Sequence, residues 1–368
     1  MGDCDDEQPR ERSKYKVSMP QILSHTERSV DYTVYCGRWL PNSALFVTLG
    51  CRPNFTGVME LNEVGEKDVS IVKKVENKKA FKCGEAGGSQ NVNSAFCTGN
   101  FGGRLDVWDM QNTTYPVFSC TEHGDIISSI DTVGGGIPGW GSPEILTCSK
   151  DGLVKVWDTR VKSSVATIGP DSGEARRECW TACFGNAYNS EQRVIAAGYD
   201  NGDIKIYDLR IMSIKYETHC LNGVCCVEFD RKDIPINKIV ATTLESGILV
   251  YDVSRQTKNG YPCRKEKARV GTVWLVRHLP QNREVFVTCG GSGEVTLWQY
   301  HYPEQRYKKD ADGVESTVVG SIEEVQNADI ASQPIISYDW NASRQGLAVC
   351  TALDQAVRVL IVTKLNEL

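Results

Sequence analysis

Three residue types that catalyse acyl transfer in many hydrolases occur near the middle of the chain: His123, Ser149 and Asp151. A serine whose proton is taken by a histidine becomes a nucleophile, and a carboxylate can hold that histidine in the required orientation. The trio would therefore predict hydrolysis of an ester or amide if the three side chains met at an accessible surface. Whether they do depends on the elements that carry them.

Those elements belong to a repeated pattern: a strand of small residues, a tight turn, and an apolar strand that ends in an aromatic residue and Asp. Six copies are Thr98–Asp109, Thr147–Asp158, Ala197–Asp208, Ala241–Asp252, Thr288–Gln299 and the eroded Cys350–Ile361, and a seventh, more degenerate copy is Thr48–Asn62. They recur at intervals close to the length of a WD40 blade, about 40–45 residues. The pattern predicts an all-β, seven-bladed WD40 β-propeller.

A propeller must close, because an open ring leaves two sheet edges unpaired. The given chain ends directly after the third strand of the last blade, and the run Gln21–Thr26, with Ile22 and Leu23, is otherwise unassigned. We expect this N-terminal run to pair into the last blade and close the ring. The expected organisation is a single propeller over residues 19–368 behind an acidic, disordered leader over residues 1–18.

Composition narrows the classes of partner and cofactor. The net charge of −6 argues against a partner held through nucleic-acid phosphates. No apolar run is long enough to cross a membrane, and the N-terminus lacks a signal-peptide core, so a cytoplasmic protein is expected. The 15 cysteines are odd in number and scattered, there is no C-x-x-C, and the 5 histidines are dispersed. We therefore expect buried thiols and neither a metal nor another cofactor.

In resemblance to WD40 proteins, His123, Ser149, Asp151 and Trp157 occupy the positions of a structural tetrad. In that arrangement the histidine before the first strand bonds the turn aspartate, and the hydrogen bonds continue through the serine to the indole. A buried polar network of this kind rigidifies a blade. The interpretation as a tetrad is therefore favoured over catalysis, and a propeller hydrolase stays as the disfavoured enzymatic alternative.

A set of aromatic residues offers a candidate binding surface. When the first strands of the seven blades are aligned on their apolar residues, the next position holds Tyr35, Phe81, Ser128, Trp180, Cys225, Trp274 and Ile336. These aromatics could form a rim at the top of the central channel that holds a partner peptide. The alternative, which large apolar residue types favour, is that they are core residues that face neighbouring blades. Tyr199 and Asp200, in the fourth blade, are further top-face candidates.

A charged insertion provides a second candidate. Tyr302–Thr317 lies between the third and fourth strands of the sixth blade and carries Arg306, Lys308 and Lys309. Long loops in compact domains are often functional. The loop Gly134–Pro143 is expected on the same face, which makes that face an alternative contact surface.

Beyond the repeat, the chain is similar to one group of WD-repeat proteins, the Monad or WD repeat-containing protein 92 family. The matching runs are Phe184–Val194, Ala197–Arg210, Asn222–Ile234, Thr272–Gly291 and Gln355–Leu368. The resemblance implies a non-enzymatic adaptor of a chaperone assembly with RuvB-like ATPases and prefoldin-like subunits. It also implies a role in the cytoplasmic preassembly of axonemal dynein arms.

The implied partners are proteins: a chaperone-complex adaptor, prefoldin-like subunits and dynein chains, bound by a monomeric propeller without a cofactor. Two other functions stay open. A WD40 platform can serve as the substrate receptor of a ubiquitin ligase, and a propeller can be a structural protein of the cilium.

Overall fold

Seven four-stranded antiparallel sheets form the molecule, and we call them blades 1 to 7 in chain order. The structure is a computed structural model, and it describes residues 19–135, 141–170, 175–186, 192–257, 260–269, 271–309 and 315–368. The predicted leader, residues 1–18, lies outside these ranges. The innermost strand of each blade, strand a, contacts strand a of the next blade, and the contact between the last and first blades closes the ring. The all-β, seven-bladed propeller is thereby confirmed.

The strands follow the order a, b, c, d from the central channel outwards. Those of blades 1 to 3 are β2 Thr33–Trp39, β3 Leu45–Cys51, β4 Gly57–Val64, β5 Val69–Asn77, β6 Phe81–Ala86, β7 Ala95–Asn100, β8 Arg104–Asp109, β9 Phe118–Thr121, β10 Ile127–Val133, β11 Glu144–Ser149, β12 Val154–Trp157 and β13 Ser164–Ile168. Those of blades 4 and 5 are β14 Cys179–Phe184, β15 Val194–Tyr199, β16 Asp203–Asp208, β17 Ser213–His219, β18 Val224–Phe229, β19 Lys238–Thr243, β20 Gly247–Asp252 and β21 Cys263–Lys267.

The last two blades depart from the simple order. Blade 6 consists of β22 Val273–Leu279, β23 Asn282–Gly290, β24 Glu294–His301 and β27 Ser321–Asp329, and the hairpin β25 Tyr307–Lys309 with β26 Glu315–Thr317 is inserted before its outer strand. Blade 7 consists of β28 Ile335–Trp340, β29 Leu347–Ala352, β30 Ala356–Val362 and, as its outer strand, β1 Ile22–Ser29. A 3-10 helix follows at Leu365–Glu367, and no helix within the described ranges is long and apolar enough to cross a membrane.

The N-terminal strand closes the ring, as predicted. β1 pairs antiparallel with β30 from Ile22 opposite Val362 to Ser29 opposite Ala356, so the strand is longer than the run expected from the sequence. Ile22 is buried, and the Arg28 guanidinium reaches across to Glu60 and Asn62 of blade 1. β1 therefore belongs to blade 7 by backbone pairing and links that blade to blade 1 by side chains.

The hydrophobic core lies between blades. Each buried cluster combines residues of adjacent sheets; for example, Val349 and Val359 of blade 7 pack with Val34 and Phe46 of blade 1. Small and β-branched side chains fill the inner strands because neighbouring blades converge towards the channel. Burying these residues is the main stabilising contribution to the ring.

Strand a carries a β-bulge near its N-terminal end in all seven blades. In blade 4, for instance, Cys179 pairs with Tyr199 and Thr181 pairs with Gly198, which leaves Trp180 between them without a partner in the ladder. The bulges of the other blades lie at the equivalent step. A bulge redirects the extra side chain. Each blade thus presents one residue at the top of the channel, the end at which strand a begins.

The residue after the bulge links neighbouring blades. Ser129 and Thr181 accept hydrogen bonds from the backbone N–H groups of Ala182 and Val227 in the next blade, at 3.0 and 3.1 Å. Cys36 occupies the same position in blade 1 and donates its thiol proton to Gly84 O. This ring of polar contacts explains why small polar residues and cysteines recur on strand a.

Candidate partner-binding surface

The predicted tetrad of blade 3 is present in the structure with one member changed. His123 Nδ1 lies 3.0 Å from Asp151 Oδ2, while His123 Nε2 and Trp157 Nε1 both lie 2.8 Å from Thr147 Oγ1. The arrangement that uses every donor once runs from the indole to the Thr147 hydroxyl, then to Nε2, with a proton on Nδ1 towards Asp151. The prediction that Ser149 links the histidine to the indole is therefore wrong, and the Thr147 hydroxyl makes this link.

Ser149 has a different role in the same blade. Its hydroxyl donates to Asp125 O at 3.2 Å and accepts the backbone N–H of Asp151 at 3.1 Å, so it fixes the turn. Ser149 is fully buried, and its hydroxyl makes no hydrogen bond with His123. An inaccessible hydroxyl without a base cannot attack a substrate. His123, Ser149 and Asp151, the three candidate catalytic residues, therefore stabilise blade 3 through their hydrogen bonds.

The Asp151 carboxylate of the tetrad makes the free energy of unfolding depend on pH. Burial raises the pKa of Asp151, but hydrogen bonds from His123 and from the backbone N–H groups of Leu153 and Gly124 outweigh it and hold the pKa at about 2. This value is below the roughly 3.9 of an unfolded aspartate, so the folded state binds fewer protons between these pKa values. Stability from this group is complete above the unfolded pKa and is lost as the pH falls through the folded one.

We expect Asp151→Asn to reduce this dependence. The variant should be less stable than the parent at pH 7, and its free energy of unfolding should fall less between pH 5 and pH 2, by about 1 kcal/mol after allowance for solvent screening. Urea unfolding followed by circular dichroism across this pH range measures the difference. Parallel pH profiles of the two proteins would contradict the assignment.

The seven bulge residues form a ring around the top opening of the channel, which we call the mouth ring. Its members, in blade order, are Tyr35, Lys82, Ser128, Trp180, Cys225, Trp274 and Ile336. Six of them are half-buried, and Trp274 is 37% exposed. Three of the four aromatic residues predicted for the rim therefore lie in it.

The prediction for Phe81 is wrong by one residue. Phe81 pairs with Asn100 before the bulge of β6 and is fully buried in the core between blades 1 and 2. Lys82 is the bulge residue of blade 2, so it replaces Phe81 in the mouth ring. Because successive side chains on a strand point to opposite faces, a one-residue error exchanges a core position for a channel position.

Tyr199 is also not on the surface. It is 6% exposed, packs between blades 3 and 4, and its hydroxyl lies 3.4 Å from that of Tyr207. Asp200, the next residue, is half-buried on the top face, where its backbone N–H donates to Glu178 O. Asp200 Oδ1 is buried and makes no hydrogen bond within the described ranges. Tyr199 is thus excluded as a contact residue, while Asp200 stays a candidate.

The orientation of Trp180 in the mouth ring is set by polar contacts. Its indole N–H donates to Glu178 Oε2 at 2.9 Å, and Lys150 Nζ lies 3.3 Å from the same oxygen. The indole also covers Gly223 of blade 5, where an added Cβ would lie 2.9 Å from the ring. Trp180 is therefore held across the boundary between two blades.

On the opposite side of the ring, Tyr35 packs against Phe101 with the ring centroids 5.6 Å apart. Lys82 Nζ lies 4.8 Å from the centroid of the Tyr35 ring, within the range of a cation–π contact. Burial lowers the pKa of Lys82, and the nearby Lys150 acts in the same direction. The mouth ring thus combines aromatic faces with one partly desolvated cation.

Below the mouth ring, the channel carries a belt of charged side chains that the sequence analysis missed. The belt residues of strand a are Arg38, Glu85, Asp131, Glu228, Arg277 and Asp339, and Lys232 reaches in from blade 5 to pair with Asp131. Asp131 and Glu228 also accept backbone N–H groups of the next blade, those of Phe184 and His278. The sequence contains a pattern that predicts this belt, because all six belt residues occupy one position of the aligned strands a, three residues after the mouth-ring residue.

The insertion of blade 6 folds back onto blade 5. The Arg306 guanidinium donates to Asp252 Oδ2 at 2.6 Å and to Ser254 Oγ at 2.9 Å, and Tyr302 accepts from Asn237 Nδ2 at 2.8 Å. Asp252 is the aspartate that closes the repeat of blade 5, so Arg306 anchors the insertion. Arg306 is therefore a structural contact, and its role in partner recognition stays a prediction.

Lys308 and Lys309 lie on β25 with exposed side chains, so they stay candidate contact residues. Within the insertion, β25 pairs with β26 to form a short hairpin. Residues 136–140 of the predicted neighbouring loop, Gly134–Pro143, lie outside the described ranges.

Within the ranges that the structure describes, no group of three or more His, Cys, Asp or Glu side chains could hold a metal ion. The cysteines there are free thiols. Burial raises the pKa of several of them, including Cys97 and Cys225, the latter to about 12. These thiols are therefore protonated at neutral pH and unreactive as nucleophiles.

Comparison with known proteins gives full-length relatives. Proteins named dynein axonemal assembly factor 10 are 50% identical over 351 residues in Bos taurus and 46% identical over 351 residues in Chlamydomonas reinhardtii, and each match covers 95% of this chain and 98% of the relative. WD repeat-containing protein 70 of Xenopus tropicalis is 37% identical over 78 residues, 21% of this chain. No protein-family model matches the chain.

Proposed function

Because the chain belongs to the dynein axonemal assembly factor 10 family, we propose that it is a non-enzymatic scaffold for protein–protein contacts in the assembly of axonemal dynein. The observation that carries the proposal is the identity of about 50% over nearly the full length of relatives with that name. Identity spread over the whole propeller supports a common platform.

The mechanism that we propose is rigid display. The closed ring holds its surface loops in place, so binding orders few side chains on the propeller side and loses little conformational entropy. The His123, Ser149 and Asp151 side chains support the absence of catalysis in this proposal, because they are engaged in the fold of blade 3.

More specifically, we infer that the protein is an adaptor in a chaperone assembly with RuvB-like ATPases and prefoldin-like subunits. It would act in the cytoplasm on dynein chains before they reach the axoneme. The family resemblance of the sequence supports this level of the proposal. The contact residues would be Tyr35, Trp180, Asp200 and Trp274 on the top face, with Lys308 and Lys309 as a second surface, and the propeller would act as a monomer.

Affinity purification tests the proposal. The tagged full-length chain, expressed in cells that are building cilia, should recover dynein heavy or intermediate chains and chaperone subunits by mass spectrometry. Recovery of a cullin adaptor in place of these proteins would favour a ubiquitin-ligase receptor. Retention of the protein in detergent-extracted axonemes, without assembly partners, would favour a structural ciliary role. Either result would overturn the proposal.

Replacing both mouth-ring tryptophans should separate binding from folding. We expect Trp180→Ala with Trp274→Ala to reduce recovery of the partners about tenfold or more, because buried aromatic anchors contribute most of the energy of an interface. The matched control is Tyr115→Ala, which removes an aromatic ring that is 78% exposed in the c–d connection of blade 2. Unchanged recovery with a folded double variant would show that the mouth ring is not the contact surface.

A further inference from the structure

The mouth ring has two chemically different arcs. The arc of blades 4 to 7 consists of Trp180, Cys225, Trp274 and Ile336, which present two indoles, a protonated thiol and a branched aliphatic side chain. The arc of blades 2 and 3 consists of Lys82 and Ser128, with Tyr35 between the arcs on blade 1. A ligand across the opening would therefore meet an apolar surface on one side and hydrogen-bond donors on the other.

Among the residues that the structure describes, the polar arc contains a buried hydroxyl without a hydrogen-bond partner and an ammonium without a carboxylate partner. Ser128 Oγ is buried and makes no hydrogen bond within the described ranges. The contact that Lys82 makes there is with the ring of Tyr35, and no ion pair in the described part of the chain joins its ammonium to a carboxylate. A buried polar group without a partner is costly, and the cost is recovered when a ligand supplies one.

Further positive charge surrounds the polar arc. Lys78 and Lys79 are exposed in the connection that leads into strand a of blade 2, and Lys79 lies over the turn at Gly102 of the same blade. The neighbouring Glu178 is already paired with Lys150 and Trp180. Lys78 and Lys79 therefore add positive charge beside Lys82, while Asp125 is the exposed acidic residue in the connection that leads into strand a of blade 3.

We propose that the mouth ring binds an acidic peptide segment of a partner protein, with a carboxylate at Lys82 and Ser128 and one apolar side chain against Trp180 and Trp274. The proposal rests on the scaffold function and adds the chemistry of the segment that is recognised. The carboxylate belongs either to an Asp or Glu side chain or to a chain terminus, and amidation of the peptide C-terminus distinguishes the two sources.

The physical argument is complementarity on both arcs. A carboxylate next to a partly desolvated ammonium forms a charge-assisted hydrogen bond that is stronger than the same contact in open solvent. It would also restore the pKa of Lys82, which burial lowers. The indoles provide large, rigid apolar contacts, of which Trp180 is already oriented by Glu178, so little side-chain entropy is lost on binding.

Unbiased peptide selection tests the proposal. The purified full-length chain is immobilised and panned against two phage libraries of random 12-residue peptides, one joined to the phage through the peptide C-terminus and one with a free C-terminus, with and without subtraction on Lys82→Glu. We expect enriched sequences that have net negative charge and one Trp, Phe, Leu or Ile. Selected peptides, synthesised with a free or an amidated C-terminus, should bind with an affinity that falls at high salt. Sensitivity to amidation assigns the carboxylate to a terminus, and insensitivity assigns it to a side chain.

The variants decide the outcome. Lys82→Glu and Trp274→Ala should each weaken binding of a selected peptide by about tenfold or more, while Lys67→Glu, the same charge change in the c–d connection of blade 1 on the opposite face, should change it less than about twofold. Thermal melts within about 2 °C of the parent confirm that the variants fold. No enrichment, a basic consensus, or equal binding by Lys82→Glu would overturn the proposal. These results would leave the purification test of the scaffold function unaffected.

Discussion

Thr147→Val is expected to lower the free energy of unfolding by about 2–4 kcal/mol, because valine keeps the shape of threonine but removes the hydroxyl. That hydroxyl lies 2.8 Å from both His123 Nε2 and Trp157 Nε1, and Trp157 is fully buried. Both ring nitrogens would lose their partner where water cannot replace it. Urea unfolding at pH 7, followed by circular dichroism, measures the change.

Ser149→Ala is the matched control on the same strand. The serine is also fully buried, but its contacts fix one turn and do not join two side chains. We expect a loss of about 1 kcal/mol, the net value of an ordinary hydrogen bond. If Ser149→Ala were as destabilising as Thr147→Val, the tetrad would not depend on the Thr147 bridge, and the assignment would be wrong.

Deletion of residues 1–30 is expected to lower the stability by on the order of 5 kcal/mol, a large share of the 5–15 kcal/mol typical of a domain. The deletion removes the seven cross-strand pairs of β1 with β30, the buried Ile22, and the link from Arg28 to Glu60. The melting temperature should fall by about 10 °C or more, and the exposed edge of β30 should promote aggregation. Thermal melts and size-exclusion chromatography measure the two effects.

Deletion of residues 1–18 is the control, because it keeps β1. We expect a melting temperature within about 2 °C of the parent. A synthetic peptide of residues 19–32, added to the protein that lacks residues 1–30, should recover part of the lost stability by pairing with β30. Equal melting temperatures for the two deletions would contradict the closure of the ring by β1.

Much of the fold was predictable because the repeat is periodic. The pattern that ends in Trp108, Trp157 or Tyr207 marks strands b and c, and these positions are buried in the structure as expected. The N-terminal closure followed from the unpaired edge of the last blade. Local sequence was sufficient for these predictions, since each blade repeats the same strand and turn geometry.

The surface was less predictable, and the error at Phe81 has a physical cause. The β-bulge on strand a shifts the register by one residue, so Phe81 enters the core and Lys82 enters the mouth ring. An alignment on apolar residues places Phe81 one step too far along, because Ala80, which precedes it, is also apolar and takes the position that Phe81 occupies in the structure. Side-chain direction on a strand depends on pairing, which a single strand does not specify.

The sequence by itself determined the all-β class, the number of blades and the closing strand. Those features depend on residues that are close in the chain or on a repeat that can be counted. Only the tertiary structure decided that Thr147 bridges the tetrad, that Arg306 is bound to Asp252, and that Lys82 faces the channel. These features depend on distances between side chains of different strands, turns and blades, which are set when the sheets pair and pack.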